Sequence, residues 1–484
     1  DLENKPVLMT SQAIAGLAPG LSVLQNSGRP GTGATIKIRG TGTFSSAGND
    51  PLVLIDGLAA NIDDVSPEDI QSISFLKDAA SASIYGNRAA NGVILIETKK
   101  GVIGKTTITY NNSFGWQKPT ELPEFLPSWE YATYYNEAMR NMNRPEAYSE
   151  EDIQKYKNNS DPDNYPNVNH LEWLLKSGSG FQHRHNFGIQ GGNEKTTYNI
   201  SLGYSDQDGM TAKTSNKRYT GLLALKSEIA DRLTLNINMN AYGQIHDEPV
   251  GEPQSIDGMI GYAVREGPIF AGEKSDGTFG YQDNYSPEAW LAGNSFLKND
   301  SKKINASSQI TWDTPINGLS FSGKAGLSYY TTYDKTFRAE TYFDESKTVG
   351  PASLKIYSSN NLYTIFEALS NYSKMFDLHT LNVLLGASVE ESIDKNVEGT
   401  RNNFPNNYLH ELGAGDASTA QNFSNQNEFA LVSLFSRINY SWNDRYLLEG
   451  NIRYDGTSRF HPDNRWGLFP SISGGWRISE EDFW

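Results

Sequence analysis

The sequence predicts an antiparallel membrane β-barrel preceded by a small mixed α/β domain, and three features lead to this prediction. After residue 105, about twelve segments alternate apolar and polar side chains, as a strand does between lipid and water. Short turns and long connectors alternate between these segments. The first hundred residues lack this regularity and mix helix-start signals with short apolar strands.

Composition narrows the possible functions. The 484 residues include 57 Asp and Glu against 41 Lys and Arg, and a net charge of −16 argues against a nucleic-acid partner. There is no cysteine, which excludes thiol catalysis and thiolate metal sites. With a mean hydropathy of −0.55 the sequence has no apolar run long enough for a transmembrane helix. Strands of ~10 alternating residues, in contrast, cross a membrane without raising the average hydropathy.

The alternation assigns residues 105–484 to barrel wall. Residues 233–242 alternate Leu, Leu, Ile, Met and Ala with Thr, Asn, Asn, Asn and Tyr, and residues 197–204 repeat the pattern. Because outer-membrane barrels have tight turns at one end and extended loops at the other, we expect all long connectors at one end. The predicted short turns are Gly191–Glu194, Ala230-Asp231, Thr314–Gly318, Asp377 and Asn443-Asp444. The predicted long connectors are 117–181, 207–216, 244–302, 333–360, 394–426 and 456–465.

Residues 1–101 are predicted to form a separate domain. Ser66 followed by Pro67 indicates a helix start, with a capping hydroxyl and proline at the first helical position. Gly28, Gly31 and Gly33 could cradle a phosphate, but they lead into a strand and no Gly-Lys-Ser/Thr follows, so turns are favoured. Lys77-Asp78 could act as a catalytic pair, although a strand end followed by a helix cap explains both residues.

Two groups of residues were considered as metal ligands. Asp161 and Asp163 suggest calcium, but their spacing lacks the bidentate glutamate of a calcium loop, and the presence of calcium stays open. His183 and His185 share a strand face without a third ligand nearby, so a lumen-facing pair is favoured. The sequence analysis therefore assigns no metal ligand, no cofactor and no catalytic residue, and predicts that the protein is not an enzyme.

Several stretches of the first domain occur in a distinctive order and spacing. They are residues 16–23 (GLAPGLSV), 36–40 (IKIRG), 51–57 (PLVLIDG), 70–80 (IQSISFLKDAA), 84–94 (IYGNRAANGVI) and 98–101 (TKKG). Together they closely resemble the plug domain of SusC/RagA-like TonB-dependent transporters. The resemblance implies that residues 1–101 are a plug in the barrel lumen and that the remainder is the first part of a barrel of about 22 strands. We therefore expect a longer polypeptide, with a TonB box before Asp1 and further strands after Trp484.

The resemblance also implies a function: import across the outer membrane of a Bacteroidetes-type bacterium, with energy supplied through TonB. The expected substrates are oligosaccharides or peptides, and the expected partners are a SusD-like surface lipoprotein as lid and the surrounding outer-membrane lipid. A siderophore or cobalamin transporter of the same architecture is the main alternative. A soluble β-rich glycan-binding protein is disfavoured by the plug and the connector pattern. A hydrolase is disfavoured because no carboxylate pair has a recognisable catalytic context.

Two sets of plug residues are candidate functional residues. Phe44, Asn49 and Asp50 lie in the polar, glycine-rich segment 41–50, where an aromatic face beside hydrogen-bonding groups would suit a sugar or a peptide. Arg39 and Arg88 are candidates for locking the plug to the barrel, because a buried guanidinium needs a paired acid. The candidate partners on the barrel strands are Glu367, Glu390 and Glu449.

Overall fold

The computed structural model describes residues 2, 5–43, 48–78, 83–251, 255–481 and 483, with the side chains of residues 83 and 87 left aside. In this part of the chain no helix is both long and apolar enough to span a membrane. The α-helices of the described residues are α1 (Thr10–Ala13), α2 (Ser128–Asn141), α3 (Glu150–Asn158), α4 (His170–Lys176), α5 (Ile256–Arg265) and α6 (Pro287–Ala292).

Where it is described, the first domain has six short strands: β1 (Leu21–Leu24), β2 (Thr35–Ile38), β3 (Leu52–Ile55), β4 (Leu58–Ala59), β5 (Ile70–Leu76) and β6 (Val93–Thr98). β1 and β2 form an antiparallel pair, and the other four make a mixed sheet in the order β4-β3-β6-β5, with β3 parallel to β6. The helix predicted at Ser66 is a single 3₁₀ turn, Pro67–Asp69, because the chain enters β5 directly afterwards.

The first domain has an apolar core of its own. Its buried side chains come from α1, from the 3₁₀ turns and from strands of both sheets, and each contributes about 1.5–3 kcal/mol on burial. They are Ile14, Ile36, Ile38, Ile55, Ile62, Val65, Ile70, Ile94 and Ile96. The domain therefore packs around its own centre, separate from the strands that follow.

The remaining strands form one large antiparallel sheet with a small added hairpin. In chain order they are β7 (Gly104–Trp116), β8 (Phe181–Gly192), β9 (Thr196–Asp208), β10 (Ser215–Ala230), β11 (Leu233–Pro249), β12 (Phe296–Asp313), β13 (Leu319–Arg338), β14 (Thr341–Asp344), β15 (Lys347–Val349), β16 (Ser353–Phe376), β17 (His379–Asn402), β18 (Gln421–Trp442), β19 (Tyr446–Thr457) and β20 (Trp466–Trp476). Among the described residues twelve of these pair in sequence order, and β14 pairs only with β15. The predicted count of about twelve is confirmed.

The two faces of the large sheet are the reverse of those in a soluble protein. On β9, Leu202 faces outward and is 58% exposed, whereas its neighbour Ser201 faces the first domain and is 5% exposed. Asn199 and, on β12, Asn305 are buried in the same way. An apolar outer face and a polar inner face suit a wall between lipid and a hydrated lumen. The chain is thus a membrane β-barrel wall with a mixed α/β plug inside it, as predicted.

The strands extend further than the sequence predicted. The connectors observed are 117–180, 209–214, 250–295, 339–352, 403–420 and 458–465, so parts of the predicted connectors 244–302, 333–360 and 394–426 are strand. β16 and β17 have 24 residues each, more than the ~9–11 that cross a membrane. Neighbouring strands remain hydrogen-bonded through their backbones beyond the apolar band. In that region apolar and polar residues no longer alternate, so the sequence does not indicate a strand. Because consecutive strands are antiparallel, these six connectors share one end of the sheet.

Two long connectors and the hairpin build a second apolar core at this end. Residues of α4, α5, α6 and β14 pack together, with Leu174 and Phe343 fully buried. The members are Leu171, Leu174, Ile256, Met259, Ala263, Phe279, Ala289, Trp290, Leu291 and Phe343. The connectors are therefore folded structures and not open loops.

Candidate functional site

The plug meets the barrel wall through paired charges, of which Arg88 and Glu390 form one pair. The Nη1 of Arg88 donates to Oε2 of Glu390 at 2.6 Å and its Nη2 donates to Oε1 at 2.9 Å. The Tyr363 hydroxyl donates to the same carboxylate at 2.7 Å. Glu390 on β17 is 1% exposed, so this charge needs its partner. The structure thus brings Arg88 to one of the carboxylates that the sequence analysis named.

The 3₁₀ segment Ser83–Ala89, which carries Arg88, lies close to the wall. Gly86 within it has φ 66°, a conformation that favours glycine. A Cβ at this position would lie 2.7 Å from Oδ2 of Asp455 on β19. The Arg453 guanidinium of the same strand donates to the carbonyl oxygen of Ile84 at 2.7 Å. Glycine therefore permits the approach that places Arg88 against β17.

Three further ion pairs cross the interface, and the sequence analysis predicted none of them. Glu68 pairs with Arg184 of β8 at 2.5 Å, Asp64 pairs with Lys303 of β12 at 2.7 Å, and Arg29 pairs with Glu248 of β11. All three carboxylates are buried. An acid at Glu68 is also what the first turn of a helix favours. Because this local explanation was sufficient, nothing in the sequence indicated a distant partner.

Backbone carbonyls of the plug also accept hydrogen bonds from the wall. Lys324 of β13 donates to the carbonyl oxygens of Asp56 and Gly57 at 3.1 and 2.8 Å. Near the short-turn end, Lys100 of the plug bonds Oδ1 of Asn238 at 2.8 Å and the Asp56 carboxylate at 2.6 Å. The contacts between plug and wall are therefore largely polar, in contrast to the apolar core of the plug itself.

The predicted pairing of Arg39 with a barrel carboxylate is not seen among the described residues. Its guanidinium pairs with Asp78 of the plug at 2.5 Å, and the two side chains are 60% and 68% exposed. The prediction assumed that the guanidinium is buried between plug and wall. Arg39 follows the end of β2, and its side chain is exposed there. The other two proposed barrel partners lie elsewhere: Glu449 is 3.9 Å from Arg437, and Glu367 lines a cavity.

The segment 41–50 was predicted to contact substrate. Phe44 lies outside the described residues. Asn49 folds the segment on itself, because its Oδ1 accepts from the amides of Gly42 and Thr43 at 2.8 and 2.9 Å and its Nδ2 donates to the Thr43 carbonyl. Asp50 is exposed. Asn49 thus shapes the segment, and substrate contact by Phe44, Asn49 and Asp50 stays a prediction.

Neither pair considered as metal ligands gathers a third ligand among the described residues. His185 bonds the Tyr110 hydroxyl at 2.7 Å, and His183 packs against aromatic rings. Asp161 accepts from Asn164, whereas Asp163 accepts from Ser275 in another connector. These side chains are occupied in binding other parts of the chain.

A cavity of about 1070 Å³ separates the plug from part of the wall. It is lined by charged residues of both, including Arg88, Lys100, Lys324 and Glu367, and it reaches the turn at Glu194. Since this turn joins β8 to β9 at the short-turn end, the cavity lies on the side of the plug away from the long connectors. The wall and the plug thus border a cavity with many charged residues in its lining, in addition to their direct contacts.

Comparison with known proteins supports this architecture. Residues 1–93 match the family model of the TonB-dependent receptor plug domain. Over its whole length the chain is 29% identical to TonB-dependent receptor P3 of Formosa agariphila, covering 47% of that protein. It is also 29% identical to TonB-dependent receptor SusC of Bacteroides thetaiotaomicron, with 97% of the chain aligned to 48% of the relative. The chain spans about half the length of the curated relatives it matches.

Solved structures show the same fold. The RagAB peptide transporter superposes with a TM-score of 0.82 at 23% identity, over 98% of this chain and 58% of the other. The ferric citrate transporter FecA gives a TM-score of 0.57 at 12% identity, over 98% of this chain and 58% of the other. The plug match, the receptor relatives and the barrel geometry agree. The chain is therefore similar to SusC/RagA-like TonB-dependent receptors over the plug and over the part of the barrel wall that it contains.

Proposed function

We propose that the protein containing this chain imports oligosaccharides or peptides across a bacterial outer membrane, with energy supplied through TonB. The observation that carries this proposal is the polar contact between plug and wall. The plug has its own apolar core, whereas ion pairs such as Arg88 with Glu390 and Glu68 with Arg184 join it to the barrel. A plug that must rearrange in the lumen needs such an interface.

The physical reason is that water can replace the polar contacts between plug and wall but cannot replace apolar ones. Separating two apolar surfaces costs about 25 cal/mol for each Å² newly exposed, and water offers nothing in return. Separating a hydrogen-bonded pair costs less, because water takes over the hydrogen bonds and screens the charges. The cavity of about 1070 Å³ beside Arg88 and Glu390 already offers room for water. A pulling force could therefore shift part of the plug while its core stays folded.

The proposed substrate class rests on the likeness to relatives and on segment 41–50. RagAB, which superposes with a TM-score of 0.82, is described as a peptide transporter, and SusC is a curated relative. A siderophore transporter is less well supported, since PirA superposes with a TM-score of only 0.55. We place Phe44 and Asp50 in contact with substrate, and a SusD-like lipoprotein over the long-connector end as lid. The outward apolar face would then contact outer-membrane lipid.

Uptake by living cells tests this function. The full-length gene is deleted from its host, and growth is measured on a panel of oligosaccharides and on a panel of peptides. We expect growth on one group to be lost, to return on complementation, and to stay absent when TonB is inactivated. Complementation that works without TonB would contradict energised import.

A disulfide that holds the plug to the wall provides a matched control. Cysteines replace Ser66 of the plug and Thr220 of β10, whose side-chain oxygens lie 3.4 Å apart, in a chain that has no other cysteine. We expect uptake to stop under oxidising conditions and to recover on reduction. Full uptake with the disulfide formed would show that this part of the plug does not move.

A further inference from the structure

A buried cluster of one histidine and two glutamates lies in the long connectors, away from the interface between plug and wall. His170 begins α4, Glu266 follows the end of α5, and Glu288 is in the first turn of α6. They are 2%, 6% and 4% exposed. One donor atom from each lies within 4.8 Å of the others. The sequence analysis assigned no role to any of the three.

Hydrogen bonding inside the protein does not satisfy this cluster. The Nδ1 of His170 lies 2.8 Å from Oε1 of Glu288 and 3.8 Å from Oε2 of Glu266. Among the described residues, neither carboxylate oxygen of Glu266 has a hydrogen-bond partner, and Nε2 of His170 has none. A buried carboxylate without a partner is costly, so native proteins rarely keep one. The hydrogen bond between His170 and Glu288 does not reach Glu266, so the cost of burying Glu266 without a partner remains.

We propose that His170, Glu266 and Glu288 bind one divalent transition-metal ion of the Zn²⁺ type. One neutral imidazole and two carboxylates carry a charge of −2, which a divalent cation cancels. Ligand bonds of ~2.0–2.2 Å in tetrahedral geometry place donor atoms roughly 3.4 Å apart. The observed separations of 2.8 and 3.8 Å lie on either side of that distance. The nitrogen donor favours zinc over calcium and magnesium, which take oxygen ligands.

The position of the site indicates a structural role. His170 belongs to connector 117–180, and both glutamates belong to connector 250–295. The apolar core that surrounds them includes Leu171 next to the histidine and Ala289 next to Glu288. The ion would join two connectors at the end of the barrel where substrate enters, and so hold their shape.

Metal analysis of the full-length protein tests the site. The protein is purified in detergent without a polyhistidine tag, dialysed against chelator, and titrated with Zn²⁺. We expect one tightly bound zinc ion per chain. Glu266→Gln and Glu288→Gln keep the side-chain shape but remove a charged ligand. Each should weaken zinc binding by more than the ~10–100-fold that is typical when a residue hydrogen-bonded to a ligand is changed. Glu68→Gln removes a buried carboxylate elsewhere, and His183→Gln removes a histidine elsewhere; both should retain the zinc.

A second measurement uses the unaltered protein and does not depend on variants that fold. Zinc should slow proteolysis within connector 250–295 and raise the apparent unfolding temperature, and chelator should reverse both effects. Absence of stoichiometric zinc, binding of Ca²⁺ but not Zn²⁺, or zinc that His183→Gln removes would overturn the assignment. None of these outcomes bears on TonB-dependent import, because the uptake assay does not depend on the zinc measurement.

Discussion

Arg88 of the plug and Glu390 of the barrel wall face each other through two parallel hydrogen bonds of 2.6 and 2.9 Å. The residues are separated by 302 positions in the sequence, and the carboxylate is 1% exposed. The buried charge of Glu390 is stabilised in this position only while Arg88 pairs with it. The stability of the wall at Glu390 therefore depends on whether the plug holds Arg88 in this position.

The first prediction concerns loss of one member of this pair. Arg88→Met should weaken attachment of the plug by about 3–5 kcal/mol, because it leaves Glu390 buried without a counter-charge. Urea-dependent proteolysis of the plug in the full-length protein measures this free energy. Removing both charges with Arg88→Met and Glu390→Gln should restore most of it. Equal loss in the single and double variants would contradict the pairing.

Arg39 provides the contrasting case. Its pair with Asp78 is exposed and lies within the plug, so Arg39→Met should change plug attachment by less than about 1 kcal/mol. The same urea-dependent proteolysis measures the change. High salt should reduce even this small change, because dissolved ions screen an exposed pair. A loss as large as that of Arg88→Met would mean that Arg39 reaches the wall.

The side-chain amide of Asn49 is predicted to hold segment 41–50 in shape. Asn49→Ala should speed hydrogen exchange at the amides of Gly42 and Thr43, which donate to its Oδ1. Exchange measured by mass spectrometry on the full-length protein reports this directly. Asn49→Asp keeps the acceptor oxygen and should largely preserve the protection. Unchanged exchange in the alanine variant would show that the backbone alone determines the segment.

Phe44 and Asp50 are predicted to contact substrate. Each of Phe44→Ala and Asp50→Ala should weaken binding about tenfold, on the order of 1–1.5 kcal/mol for one stacking contact or hydrogen bond. Calorimetry on the purified protein with its partner and the imported substrate gives the affinity. Ser72→Ala is the control, since it changes a plug side chain on β5, whose hydroxyl bonds Glu97 of β6. If both alanine variants bind like the parent, the site lies in the long connectors.

The outward face of the sheet is predicted to contact lipid. Leu202→Lys near the middle of β9 should destabilise the barrel by about 2–4 kcal/mol, because it places a charge in hydrocarbon. Ile229→Lys, also exposed but beside the short turn after β10, should cost only about 0–1 kcal/mol because the charge reaches the interface. Unfolding in lipid bilayers by denaturant compares them. Equal costs would argue against the predicted depth of these residues.

The wall could be recognised in the sequence because its signal is local. Residues two apart share a face of a strand, so the alternation in residues 197–204 and 233–242 directly reports lipid on one side and a polar lumen on the other. The same reasoning located the short turns at Ala230-Asp231 and Asn443-Asp444. It failed where β16 and β17 continue past the apolar band, since pairing between backbones needs no particular side chain there.

The sequence by itself determined the membrane wall, the separate first domain and the resemblance to a family, because strand period, turn chemistry and ordered motifs are properties of neighbouring residues. Only the tertiary structure decided which charges meet. It paired Arg88 with Glu390 but kept Arg39 within the plug, and it brought His170 to Glu288 across 118 positions. An isolated charge in a sequence has many possible partners. Burial selects among them, because inside the fold a charge without a partner costs several kcal/mol, on the order of 3–5 when one member of a pair is lost.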